Sequence, residues 1–166
     1  TDPSVTAFAG GFGSNMTANA TVYVKYRTNA TSTTVTAITP TFVGTAMASN
    51  NYQALVVDAT GPGGTPGAVL YTSPARMRPL AGGADVVAIP GTVVSGDFYV
   101  AVRQLTTTNF GLAYQTESPL RLGTFYFSTD GVAFTDLSVA GAPFRAALDV
   151  TLRNPLATRN EALAAA

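Results

Sequence analysis

Seven acids stand in the part of the chain that reads as folded: Asp58, Asp85, Asp97, Glu117, Asp130, Asp136 and Asp149. Two of them facing one cleft could hydrolyse a glycosidic bond, one carboxyl giving a proton while the other attacks or activates water. Their positions favour a plainer role. Most fall at turns, and Asp97 and Asp130 flank Gly96 and Gly131, where an aspartate bonds its own backbone. Clustered acids also suit calcium, which takes about six to eight oxygen ligands. No D-x-D-x-D loop is present, so the sequence leaves open only a structural ion held by scattered oxygens.

Other chemistries are narrowed by residue type. The chain contains no Cys, His or Trp. Ser-His-Asp and Cys-His nucleophiles, the usual zinc ligands and disulfides are therefore excluded. "GGFG" (Gly10 to Gly13) lacks the strand, helix and lysine of a phosphate loop and reads as a turn or bulge. Arg76 and Arg78 in "SPARMRP" form the only basic cluster, which reads as a solvated loop rather than an anion or glycan contact. Exposed flat aromatics could bind sugar, and Tyr23, Tyr52, Tyr71, Tyr99, Tyr114 and Tyr126 could supply them. On alternating strands, tyrosines more often pack the core or pair across strands. The N-x-T sequons at Asn15, Asn19 and Asn29 read as coincidence in a Thr-rich chain. The expectation is no catalytic, cofactor-binding or metal-site residue, no cofactor, and no enzyme.

The elements that must position any site are short and alternate with period two. "TVYVKYR" (21–27) sets Val22, Val24 and Tyr26 against Tyr23, Lys25 and Arg27. "TSTTVTAITPTFV" follows, with a break expected at Pro40, and "NYQALVVDA" is continuous enough for a central strand. "TGPGGTPGA" (60–68) is a turn and "VLYTS" its returning strand. "ADVVAIP", "GDFYVAVRQL", "FGLAYQ", "GTFYFST", "GVAFTDL" and "PFRAALDVTL" complete the set. Asp130-Gly131 marks a tight hairpin. About ten short strands with frequent turns point to an all-β antiparallel sandwich or barrel.

At 166 residues the chain fits one domain. "PFRAALDVTL" reads as a last strand with Phe144, Ala146, Leu148, Val150 and Leu152 facing inward. The expected organisation is a sandwich over 1–153, with 1–9 an arm able to add a strand to a neighbour, and a tail over 154–166. The tail, "NPLATRNEALAAA", reads as a short helix, because Thr158 and Glu161 have capping-box spacing. Charged residues make up 11% of the chain, against about 25% in ordinary globular proteins, and nine cations balance nine anions. No field attracts nucleic acid or anionic lipid, and no apolar run suits a membrane-spanning helix. The start at "TDPSV" fits a mature, processed chain.

Three segments together resemble a known family. "GTPGAVLYTS", "GDFYVAVRQLTTTNFGLAYQ" and "GTFYFSTDGVAFTDL" are similar to motifs of jelly-roll-like β-sandwich domains in secreted Bacteroidota proteins. The matching positions are Pro66, Gly67, Leu70 and Tyr71, then Gly96, Asp97, Phe98, Tyr99 and Val100. Gly111, Ala113 and Tyr114 follow, then Tyr126, Asp130, Gly131 and Phe134. Phe134 stands where the family has Trp, and Ala101 where it has Gly. "NPLATRNEALAAA" resembles the linker before the C-terminal sorting domain of type IX-secreted proteins. The resemblance implies a jelly-roll-like sandwich, export to the cell surface or beyond, and a non-catalytic role.

Low surface charge, the missing catalytic set and the two terminal segments together point to a secreted structural protein. The leading expectation is a self-assembling subunit of an extracellular fibre or surface layer, with copies of itself as partner. The alternative is a carbohydrate-binding or adhesive module of a larger secreted protein, with a surface glycan as partner. An enzyme would require a carboxylate pair facing one cleft.

Overall fold

A strand that alternates apolar and polar residues must bury one face against a second layer. This chain solves the problem with two sheets. The computed structural model describes residues 9–29, 31–44 and 51–153. The arm expected at 1–9, save the backbone of Ala9, and the tail expected at 154–166 lie outside the described residues. The strands are β1 (Ala9–Phe12), β2 (Thr21–Arg27), β3 (Thr33–Phe42), β4 (Asn51–Asp58), β5 (Val69–Thr72), β6 (Arg76–Met77) and β7 (Gly83–Ala84). They continue with β8 (Val87–Val94), β9 (Asp97–Gln104), β10 (Leu112–Thr116), β11 (Phe125–Ser128), β12 (Thr135–Asp136), β13 (Phe144–Ala146) and β14 (Leu148–Arg153).

The first sheet runs β1-β10-β3-β14, with β13 beside β10 and with β7 and β8 beside β3. The second runs β12-β11-β2-β9-β4-β5, with β6 beside β4. All pairings are antiparallel. The fold is thus an all-β sandwich. Between the sheets lie Val35, Ile38, Phe42, Leu112 and Leu148 of the first, and Val22, Val24, Tyr52, Val56, Phe98, Val100 and Val102 of the second. Among the described residues no helix is long and apolar enough to cross a membrane.

Local departures from the sequence pattern have identifiable causes. β3 runs through Pro40 rather than breaking there. The proline nitrogen, which cannot donate, faces the seam where β8 stops (at Ile38) and β7 begins (at Thr41). Its carbonyl still accepts from the Asp85 N–H, and the next N–H, of Thr41, reaches the Ala147 carbonyl on the other side. The expected last strand is two strands. Ala147 divides them as it passes from one partner to another, its N–H donating to Ala113 and its carbonyl accepting from Thr41. Ala146, Ala147 and Leu148 are consequently all buried, and Leu152, expected inside, is exposed. The Asp130-Gly131 hairpin is looser than a two-residue turn, because the Asp130 carboxylate gathers the Val132 and Ala133 N–H groups into a loop before β12. "GGFG" does form a bulge, the register of β1 against β10 shifting between Ala9 and Gly11.

Among the described residues Arg78 is the largest fully buried side chain, 2% exposed. It donates to the carbonyls of Phe110 (2.6 Å), Val43 (2.6 Å) and Pro79 (3.4 Å) and lies over the Phe42 ring. The solvated-loop reading of Arg78 is therefore corrected: the guanidinium clamps the end of β3 to the entry of β10. Gly111 makes room for it; its φ is +69°, and a Cβ there would meet Arg78 Nη1 at 2.5 Å. Each buried carbonyl left without a donor costs about 1–3 kcal/mol. Arg78→Met is expected to lower the urea-unfolding free energy by about 2–4 kcal/mol. An unfolding curve superimposed on that of the parent chain would show that the clamp carries no stability.

Candidate ligand-binding cleft

The sandwich opens at one end because β2 outruns its neighbour. β11 pairs with β2 only over Thr21 to Val24. One further bond, from Lys25 N–H to the Thr124 carbonyl at 2.8 Å, closes that ladder. Beyond it, the edge of β2 faces β13 and β14 of the other sheet across a cleft of about 620 Å³. Val24, Tyr26, Arg27, Asp97, Arg121, Phe125, Arg145, Leu148 and Asp149 are among its walls.

Tyr26 ties the two sheets together within this cleft. Its ring stacks on Phe98 at 6.1 Å between centroids, and its hydroxyl donates to the Leu148 carbonyl at 2.5 Å. Burial, then the Asp149 carboxylate, pushes the phenol pKa well above its ordinary value, so the hydroxyl stays a donor. Around it the arginines are held by carboxylates. Glu117 accepts from Arg121 Nε at 2.9 Å and from Arg145 Nη1 at 3.3 Å. The Arg121 guanidinium also covers the Phe125 ring and is 57% exposed. At the rim Arg27 grips Asp97 with two bonds, Nε to Oδ1 at 2.5 Å and Nη2 to Oδ2 at 3.1 Å. The Arg27 guanidinium holds the Asp97 carboxyl below the usual carboxylate range. Lys25 sends its ammonium elsewhere, over the Tyr99 ring at 5.3 Å.

The residues singled out by type fall into place differently. Asp58, Asp130 and Asp136 are turn acids as expected, each accepting nearby backbone N–H groups. Asp85, Asp97 and Glu117 are instead ion-paired. Arg76 is not a free loop cation but binds Asp85 at 2.8 Å. The tyrosine platform is absent: Tyr23, Tyr52, Tyr99 and Tyr126 are buried, and Tyr71 and Tyr114 are half-buried. Tyr23, Tyr99 and Tyr126 do share the outer face of the second sheet, with Leu55, Val57 and Ala101. Phe134 packs edge-on to Tyr23 at 5.4 Å, and the Gly64 carbonyl accepts the Tyr99 hydroxyl at 2.6 Å, so two loops help cover that face. Among the described residues no group of three or more His, Cys, Asp or Glu is placed to hold a metal ion.

What residue type missed is the set Tyr26, Arg27, Arg121 and Arg145. Glu117 and Arg121 are four apart, a spacing that permits a pair. Nothing local signals that Arg145 joins them, or that Tyr26 reaches across 122 positions to Leu148. Two acids, Asp97 and Asp149, do border one cleft.

A half-buried polar cluster lies away from the cleft. Tyr52 donates to Asp85 at 2.5 Å, and Arg76 closes on the same carboxylate. Burial works to raise the Asp85 pKa, but the hydrogen bonds from Arg76 and Tyr52 outweigh it and the carboxyl lies below its ordinary value. A depressed folded-state pKa stabilises the fold fully above the unfolded value of about 4 and loses that contribution as pH falls through the folded value. Asp85→Asn should therefore lower Tm at about pH 7, and the gap to the parent should close towards about pH 2. Thermal melts across that range check this; a gap of constant size would contradict it.

No family model matches the chain, and no curated protein matches it. Among solved structures it is similar to the crystal structure of the cysteine protease and lectin-like domains of Cwp84, a surface layer associated protein of Clostridium difficile. The TM-score is 0.59 at 13% identity, over 84% of this chain and 33% of that one. The chain thus spans about a third of the length of that neighbour. At this identity the likeness is one of fold.

Proposed function

We propose that this chain is a non-catalytic carbohydrate-binding module of a protein exported to the cell surface or beyond, and that the cleft at Tyr26 receives the sugar. The observation that carries the reading is the cleft itself. It sets guanidinium and carboxylate groups beside the half-buried Tyr26 ring and the side chains of Val24 and Val150, the mixture of donors, acceptors and apolar surface that sugar hydroxyls and ring faces require. The fold shared with a protein that includes lectin-like domains supports it. A fibre subunit draws less support: its argument rests on segments 1–9 and 154–166, almost wholly outside the described residues, and the fold comparison favours the binding module. The type IX route rests on the resemblance of 154–166 alone.

Asp97 and Asp149 border the same cleft, the arrangement hydrolysis would need. Asp97 is bound on both oxygens by Arg27, which keeps it from carrying a proton as general acid and engages the oxygens a nucleophile or base would use. Binding without turnover is therefore the better reading.

A glycan array followed by calorimetry tests it. The full chain should bind a glycan, and Arg145→Ala and Asp149→Asn should each weaken that binding at least about tenfold, about 1.4 kcal/mol, at little cost in Tm. Absence of any glycan ligand, or variants that bind as tightly as the parent, would overturn the reading. Release of reducing ends from the bound glycan would reassign the chain as a hydrolase. Spontaneous polymers in electron micrographs would restore the fibre subunit.

A further inference from the structure

Asp97 borders a second cleft as well as the first. The two share Asp97 as a wall, Arg27 lining the first alone, and have volumes of about 620 and 490 Å³. Each falls within the range of about 300–1,000 Å³ that small-molecule sites occupy. The second is built differently from the first. Its walls include Thr31, Ser32, Thr60 and Ser95, residues that carry hydroxyls, together with Leu70 and Val93. Leu70, on β5 of the second sheet, is 44% exposed and Val93, on β8 of the first, 63%, so the cleft offers apolar surface beside hydroxyl-bearing residues. A sugar ring has that same division, C–H groups on its faces and hydroxyls around its edge.

Neither cleft carries an unbalanced cluster of cations: Arg27, Arg121 and Arg145 of the first stand against Asp97, Glu117 and Asp149 while the Lys25 ammonium turns to the Tyr99 ring, and the charged residues of the second are the acids Asp58 and Asp97. Arg27 is paired with Asp97, and Arg121 and Arg145 with Glu117. In the second cleft the Asp58 carboxylate already accepts from the Thr60 and Ala68 N–H groups. A polyanion would need an unmatched cationic field, which these pairs do not provide.

On the reading of the first cleft as a sugar site, we infer that the ligand is a neutral linear polysaccharide that crosses the shared wall at Asp97 and fills both clefts. The first cleft holds one stretch of the chain by directed hydrogen bonds. The second adds contact with the faces of the following sugars. Affinity then depends on chain length, and little on salt.

Calorimetry with oligosaccharide ladders of β-glucan, xylan and mannan, from monomer to hexamer, tests this on the full chain. Affinity for the bound ladder should rise at least about tenfold from dimer to hexamer, about 1.4 kcal/mol. Raising salt from about 50 to 500 mM should change it less than about twofold. Val93→Asp should bring the hexamer down to the affinity of the dimer while leaving dimer binding intact. Arg145→Ala should weaken dimer and hexamer alike. Equal affinity at every length, or a Val93→Asp chain that keeps the length gain, would overturn the two-cleft inference and leave the sugar-site reading standing. Preference for polygalacturonate over every neutral ladder, lost at high salt, would overturn the neutral polymer. Failure to bind any glycan would remove both readings together.

Discussion

The constraint on which the structure turns is that the central strands of the second sheet are buried on both faces. β2, β9 and β4 send Val22, Val24, Val100, Val102, Ala54 and Val56 into the sandwich. The alternate positions, Tyr23, Tyr99, Ala101, Leu55 and Val57, form a second apolar cluster on the outside. Such a face cannot remain bare in water, and loops must help cover it. The 129–134 loop brings Phe134 onto Tyr23, and the 60–68 turn brings the Gly64 carbonyl to Tyr99. Three tyrosines that could have made a sugar platform are thereby spent on stability, as edge-to-face pairs at 5.8 to 6.4 Å. A binding surface has to lie elsewhere.

It lies where the ladder runs out. β11 is four residues long and β2 is seven, so part of the edge of β2 has no neighbour in its own sheet. The gap is crossed instead by the Tyr26 side chain reaching Leu148 in the other sheet. The same side chain that joins the sheets lines the cleft, which rests the candidate site on β2, β13 and β14, with Arg121 added from the loop before β11.

Charge is scarce in this chain, and the structure uses most of it in place. Arg78 lies inside on three carbonyls, Arg76 with Asp85, Arg27 with Asp97, and Arg121 and Arg145 with Glu117. Exposed pairs of this kind contribute little to stability. Their consequence is for recognition: a cleft whose three arginines, Arg27, Arg121 and Arg145, stand against Asp97, Glu117 and Asp149 offers directed hydrogen bonds with little net field, which suits a polyhydroxyl ligand better than an ionic one.

Period-two alternation with turn residues was enough to read the sandwich, and β2, β4, β5, β9 and β10 fall where their sequences put them. The turn roles of Asp58, Asp130 and Asp136 were legible too, because an aspartate bonding its own backbone two or three residues on is a local interaction. Pro40 within a strand was not legible, since its tolerance depends on which strands meet at that point. The same holds for the burial of the tyrosines, decided by loops from elsewhere, and for the burial of Arg78, decided by carbonyls 32 and 35 positions away. The cleft belongs wholly to the second kind. By itself the sequence determined what each segment could do with its neighbours in the chain: extend, turn, alternate. Only the tertiary structure decided that Tyr26, Arg27, Asp97, Arg121, Arg145 and Asp149 share one wall of space, because that depends on where one strand stops short of another, a distance no local pattern encodes.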